Sequence, residues 1–405
     1  MNSSYLKKIL DFMVYRAVSM VFPFLLILLF TKSLETAELG VFFLAQGVAL
    51  WVALLVDFGF IRHAVVATQK NEISDFAVIM HAQIFLGLIS AFLLVLVVPL
   101  FESLSVWDGV FIAGFGVCNG LIPKWYYQAK SRMRELSLIE SLIKMVLIVF
   151  LFMLDDIADR FLIEYALLMA TFLVMVVSWV GVAKSEIVGV LTINFTEIKT
   201  QLNLSRDLFL SRFFGNLSLN ANILLVGFFL SPTQIAIYGI VEKMLKFMVA
   251  IMTSVSEALY PLVASGKDTN VYKYALVVSM LCSLMAVVGS MLVLPYIAHY
   301  LFDFDLAYSH LFFIMLPAVI FYSLSSVLAL FNFIATKNYK LDLYAQIVTG
   351  LISLSASVLI VKQYAMEGAA ISYLASSIVS VLAILLLTKL IKPSVTDGKL
   401  PQVAE

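Results

Sequence analysis

Twelve long apolar runs follow one another along this chain, near residues 9–31, 38–60, 76–101, 106–127, 136–154, 161–183, 207–230, 234–260, 271–300, 308–335, 341–361 and 367–391. At 1.5 Å of rise per residue, runs of this length cross about 30 Å of hydrocarbon as helices. No water is present there to satisfy backbone N–H and C=O groups, so helices that bond internally are the structure such runs can adopt. The expected fold class is therefore all-α integral membrane, with about twelve transmembrane helices. A hydrophobic fraction of 62% with only 13% charged residues excludes a soluble globular chain. The first run contains Arg16 and lacks a small-residue cleavage site, so it reads as a retained helix and not as a signal peptide. Cys118 and Cys282 lie in apolar runs and imply no disulfide framework. His63, His81, His299 and His310 show no metal-ligand spacing, and no cofactor is expected.

The longest connection, residues 184–206, divides the runs into six and six. The expected organisation is an N-terminal six-helix lobe over 1–183, an inter-lobe linker over 184–206 with room for a short interfacial helix, a C-terminal six-helix lobe over 207–391, and a tail over 392–405. Equal helix counts suggest two parallel repeats about an axis along the membrane normal. Placed on this frame, 18 of the 26 Lys and Arg residues fall in loops or at run ends on one side, three fall on the other, and five lie deeper inside runs. Positive residues stay on the cytoplasmic side, so both termini and the linker are expected there. A nucleic-acid partner is not expected.

The five cations inside runs are Arg16, Lys144, Arg212, Lys243 and Lys246. A charge at mid-bilayer depth costs about 2.5–3.5 kcal/mol on insertion scales. Such cations are either paired or snorkelling to an interface, or they face a water-filled cavity where an anion meets them. Arg212, Asn216 and Asn220 recur every four residues and share a helix face, while Gly239, Lys243, Lys246, Thr253 and Glu257 lie on one side of the next helix. Glu242 stands i,i+4 to Lys246, as Glu140 stands to Lys144, and each is placed to pair with it. For Lys144 a structural pair and a substrate contact both remain open. Asp57 lies at a depth similar to Arg16, and a pair between them would lower the cost of both. Pro23 is placed to kink the first helix.

Three motifs stand out. Val56-Asp57-Phe58-Gly59-Phe60 ends the second run, preceded by Leu39-Gly40 and Gln46. Pro123-x-Trp125-x-x-Gln128 ends the fourth, with Ala129 following. NANILLVGFFLSPTQIAIYGIVEKM starts at Asn220, turns at Ser231-Pro232-Thr233, and carries Tyr238-Gly239. Trp125, Tyr126 and Tyr127 also suit an interfacial aromatic belt, and Lys130, Arg132 and Arg134 form a basic cluster that sets orientation or holds anionic head groups. In order and position the motifs resemble those of the Wzx-type flippases for lipid-linked polysaccharide repeat units. Two departures are the order Tyr-Gly at 238–239 and Ala129 where the family has Gly.

That resemblance implies a fold like the multidrug-and-toxin (MATE) exporters, with two six-helix lobes around a central cationic cavity in the bacterial inner membrane. It implies transport, without catalysis, of undecaprenyl-pyrophosphate-linked oligosaccharides from the cytoplasmic to the periplasmic leaflet. The expected partners are that lipid-linked substrate, membrane lipids and polysaccharide assembly proteins. Candidate substrate contacts are Arg16, Arg212, Lys243, Lys246, Asn216, Asn220 and Lys144; candidate structural or gating residues are Asp57, Pro23, Trp125, Gln128, Glu242 and Glu257. The chain contains no P-loop, HExxH, CxxC or Gly-x-Ser-x-Gly motif. Two other readings remain: a small-molecule exporter of the MATE type, and a polytopic polysaccharide polymerase or ligase.

Overall fold

The computed structural model describes residues 34–61, 76–130, 132–153, 159–185, 195–264, 270–334 and 338–390, together with Phe22, Leu25, Leu28, Leu29 and Thr31. Every regular element among them is helical: α1 Thr36–Asp57, α2 Phe76–Val97, α3 Val106–Leu121, α4 Lys124–Ala129, α5 Met133–Phe152, α6 Arg160–Ser185, α7 Phe195–Phe229, α8 Pro232–Ala264, α9 Asn270–Phe302, α10 His310–Met315, α11 Pro317–Ala329 and α12 Tyr339–Leu390, with single-turn 3-10 pieces and a π turn at Leu330–Ile334. Seven helices among the described residues are long and apolar enough to cross a membrane. The long helices outside that set are α5, α7 and α8, and they carry Lys144, Arg212, Lys243 and Lys246. The exterior is hydrocarbon-like: α2 exposes Leu88, Phe92 and Val95, and α9 exposes Val277, Leu284, Val288 and Leu292. Apolar surface on this scale suits lipid rather than water.

α1 joins the first half of the chain to the second. Its residues Gly40, Leu44, Gly47, Trp51, Leu54 and Phe58 recur at three or four and share one face. That face meets α7 and α8: Leu44 reaches Gly227, Gly47 meets Ile223, and a Cβ added at Gly40 would fall 1.8 Å from the Pro232 carbonyl oxygen. The other face presents Val52 and Val56 to Gly116 and Gly120 of α3.

Proline and glycine set the breaks. Pro123 separates α3 from α4, since it brings no N–H for the helix ladder. The carbonyls left at the broken end take side-chain donors: Gln83 Nε2 donates to Gly120 O at 3.0 Å and Trp179 Nε1 to Leu121 O at 2.7 Å. The Ser-Pro-Thr-Gln turn is a helix start: Pro232 is the first residue of α8, and Gln234 Oε1 accepts from the Ser231 N–H at 3.1 Å. α12 is 52 residues long, over twice a membrane crossing, and Ala365 interrupts it at φ 49°. The chain reverses there, because a Cβ on Gly368 would lie 2.3 Å from the Ile360 carbonyl oxygen. The expected spans 341–361 and 367–391 are the two arms of this hairpin.

α7 is longer than the expected span 207–230. It starts at Phe195, so residues 195–206 of the expected linker continue straight into the helix. The expected span 308–335 is instead segmented, with Pro317 opening α11 and the π turn closing it. The first span, with Arg16 and Pro23, lies outside the described residues apart from the five named above.

Candidate functional site

The C-terminal end of α1 is built by the Asp57-Phe58-Gly59 motif. Phe58 is left-handed at φ 43°, with its N–H bonded to Leu54 O at 3.1 Å, and Gly59 follows at φ 77°. Two successive positive φ values stop the helix sharply, and the second is affordable because glycine has no Cβ. The turn presses on α7: a Cβ on Gly59 would lie 2.9 Å from the Phe209 backbone nitrogen, and the Phe58 ring stacks on Phe209 at 4.2 Å and 12°. Asp57 Oδ2 accepts from Arg212 Nη1 in an ion pair that crosses from the first half of the chain to the second. The pairs Glu140–Lys144, Asp108–Arg160, Arg160–Glu164 and Glu242–Lys246 each stay within one half.

Between this contact and the Gly40–Pro232 approach lies a cavity of about 120 Å³, lined in part by Gln46, Asn216, Asn220, Glu242, Lys243 and Lys246. Asn216 Nδ2 donates to Arg212 O at 2.8 Å, and Asn220 Nδ2 to Asn216 Oδ1 at 2.6 Å, so a polar ladder climbs α7 from Arg212 into the cavity. Lys246 Nζ lies 3.0 Å from Glu242 Oε1. Lys243 is held by neutral groups: its Nζ donates to Gln46 Oε1 and sits 4.7 Å from the Phe43 ring centroid. A hydrogen bond to a charged group contributes about 1.5–3 kcal/mol and a cation–π contact about 0.5–2 kcal/mol. Together these are of the size of the insertion cost of the charge. With two lysines against one carboxylate, the cavity is cationic.

The structure thus gathers Arg212, Asn216, Asn220, Lys243, Lys246, Glu242 and Asp57 along one seam. Arg16 and Pro23 lie outside the described residues; among the described residues Asp57 pairs with Arg212. Lys144 does not line the cavity; it pairs with Glu140 and lies over the Phe22 ring at 4.8 Å. Glu257 is on α8, with its side chain outside the described residues. Trp125, Tyr126 and Tyr127 are buried and form a packed core with Phe60 and Val182, which argues against the aromatic-belt reading; Gln128 is exposed.

Two groups were not legible as site residues. Lys124 counts as a loop cation in the sequence, yet Nζ donates to Asn119 Oδ1 at 3.0 Å and its charge neighbours are Glu140, Asp57, Lys144 and Arg212. Its place directly after Pro123 was the available signal, since the helix break turns it inward. At the other end, Arg160 bridges Asp108 and Glu164, both without solvent exposure. Asp108 also caps α3 reciprocally with Ser105. The i,i+4 spacing of Arg160 and Glu164 was the sequence signal there.

Comparisons with known proteins agree with this architecture. The chain is 21% identical over 281 residues, 66% of its length and 66% of the relative's, to the "Putative O-antigen transporter" of Escherichia coli (strain K12). It therefore spans about two thirds of that relative. Among solved structures, it matches the lipid II flippase MurJ in an inward closed conformation with a TM-score of 0.74 at 14% identity, covering 95% of this chain and 87% of that one. It matches an inward-facing multidrug resistance MATE transporter of the MOP superfamily at 0.62 and 14% identity, covering 92% and 94%. These likenesses show the fold: a multi-pass membrane bundle of the MurJ and MATE kind. The family model described as "Polysaccharide biosynthesis protein" matches residues 5–267, and the chain belongs to that family.

Proposed function

We propose that this protein is a flippase that carries undecaprenyl-pyrophosphate-linked oligosaccharide repeat units from the cytoplasmic to the periplasmic leaflet of the bacterial inner membrane. The observation that carries this reading is Lys243: an ammonium held by neutral partners in a cavity between the two halves, with Lys246 beside it and Arg212 along the same ladder. A pyrophosphate must shed water to enter the bilayer and needs fixed cations to replace it. Asn216 and Asn220 supply amides for phosphate or sugar oxygens. The names of the transporter and flippase relatives support the same class.

The charge bias places the Asp57–Arg212 end of the seam at the cytoplasm and the Gly40–Pro232 end at the periplasm. A cavity of about 120 Å³ is too small for an oligosaccharide. Transport therefore requires α1 to part from α7 and α8 at one end at a time, with the lipid tail staying in the membrane. An inside-negative potential favours outward passage of an anion by about 2.3 kcal/mol per charge per 100 mV. A MATE-type exporter of cationic drugs would favour carboxylates in its cavity, whereas two lysines and one glutamate line this one. The test is surface polysaccharide, normalised to protein level, in a strain lacking the native protein. The triple variant Arg212→Gln, Lys243→Gln, Lys246→Gln should lose export while remaining in the membrane. Full export by that variant would overturn the reading of this cavity.

A further inference from the structure

The Asp57–Arg212 pair fastens one half of the chain to the other at the mouth of the cationic seam. Side-chain exposures of 17% for Asp57 and 26% for Arg212 leave the pair reachable from outside without being solvated like a surface pair. The guanidinium that Asp57 holds also stands at the foot of the Asn216–Asn220 ladder leading to Lys243. An anion entering by this path meets Arg212 first, and meets it already occupied by a carboxylate.

We propose that Asp57 is a resident stand-in for the substrate: its carboxylate occupies the Arg212 guanidinium in the substrate-free protein, and a phosphate oxygen of the lipid-linked substrate replaces it. The exchange unfastens α1 from α7 at that end. It rests on the reading of the substrate as a lipid-linked pyrophosphate.

Three features make the exchange physically sound. A pyrophosphate carries more charge than a carboxylate and can meet the guanidinium with two oxygens, so it competes well for Arg212. The released carboxylate is not stranded, because Lys124 is among its charge neighbours and can take up the balance. Asp57, Phe58 and Gly59 are consecutive, so a shift of the α1 end that carries Asp57 away from Arg212 also strains the Phe58–Phe209 stack and the backbone approach at Gly59. Occupancy of a single cation is thereby coupled to closure of the whole contact. A purely structural pair would predict something different: removing Asp57 would loosen the protein and leave affinity unchanged or reduced.

The test measures binding of undecaprenyl pyrophosphate to the purified full chain, with undecaprenol as the control lacking phosphate. Asp57→Asn should bind undecaprenyl pyrophosphate about three- to tenfold more tightly than the wild type, because the competitor is gone. The gain should vanish in an Arg212→Gln background, as a double-mutant cycle requires of a coupled pair. As a second readout, a Phe58→Cys/Phe209→Cys pair in a Cys118→Ser/Cys282→Ser background should cross-link in the free protein and several-fold less with undecaprenyl pyrophosphate bound. Equal or weaker binding by Asp57→Asn, or bound ligand that leaves the cross-link unchanged, overturns the exchange while leaving the substrate reading standing. No preference for undecaprenyl pyrophosphate over undecaprenol in the wild type, with export intact, overturns the substrate reading and the exchange with it.

Discussion

Lys243 on α8 and Gln46 on α1 are joined by a hydrogen bond across the boundary between the two halves of the chain. A substrate oxygen bound by this ammonium would compete with the glutamine carbonyl for the same proton donors.

Lys243→Gln should reduce export about tenfold or more, because a charge-assisted bond of 1.5–3 kcal/mol to substrate is lost and about 1.4 kcal/mol is a factor of ten. Lys243→Arg should retain more export than Lys243→Gln. Gln46→Leu should instead lower thermal stability in detergent by about 1–3 kcal/mol, since it removes the hydrogen-bond acceptor of a partly buried ammonium and leaves it against the Phe43 face. Surface polysaccharide per unit protein and a melting curve separate the two effects. Unchanged export by Lys243→Gln would remove this lysine from the substrate path.

Gly59→Ala should weaken the α1–α7 contact. The residue is left-handed at φ 77°, and an added methyl meets backbone at 2.9 Å, which cannot rotate away as a side chain would. A cost of about 1–3 kcal/mol is expected from the left-handed conformation and the contact together. Faster cysteine labelling on α1 near Phe58 is the check, and labelling at the wild-type rate would contradict it.

Arg160→Met should destabilise the protein by about 3–5 kcal/mol, because Asp108 and Glu164 are left as two buried carboxylates without their cation. Asp108→Asn should cost less, since Arg160 keeps Glu164 and the amide can still meet Ser105. Recovery of monodisperse protein after graded heating measures both. Equal losses for the two variants would argue that the cap of α3, and not the charge cluster, is what matters there.

Reporter fusions test the orientation on which the proposed direction depends. Fusions after Lys199 and at the C-terminus should report the cytoplasm, and a fusion after Asp156 the periplasm. A periplasmic result at Lys199 would break the division into two halves of six spans.

The helical membrane fold was legible because hydrocarbon leaves so few alternatives: apolar runs of membrane length read as helices wherever they occur. The α7–α8 turn was legible for a local reason, since Pro232 and Gln234 write a helix start into four residues. The shared face of Arg212, Asn216 and Asn220 followed from their spacing alone. What spacing cannot convey is which helices meet. The partner of Asp57 lies 155 residues away on α7, and that of Lys243 lies 197 residues away on α1. Lys124 was hidden for another reason: loop and span look alike beside a helix break, and only the turn at Pro123 brings that lysine inward. The aromatic run at 125–127 has the composition of an interfacial belt, but Tyr127 is drawn into the core by its bond to the Ser178 carbonyl at 2.9 Å.

α1 runs unbroken for 22 residues and is held near one end by α8, with Gly40 against Pro232, and at the other by α7, with Phe58 against Phe209. At 1.5 Å per residue this is a stiff rod of about 33 Å. A rod rocking about its middle lifts one end only by pressing the other down. Such a lever would hold the barrier to small ions throughout the cycle by leverage alone, without a separate lock that must sense the first opening before it shuts.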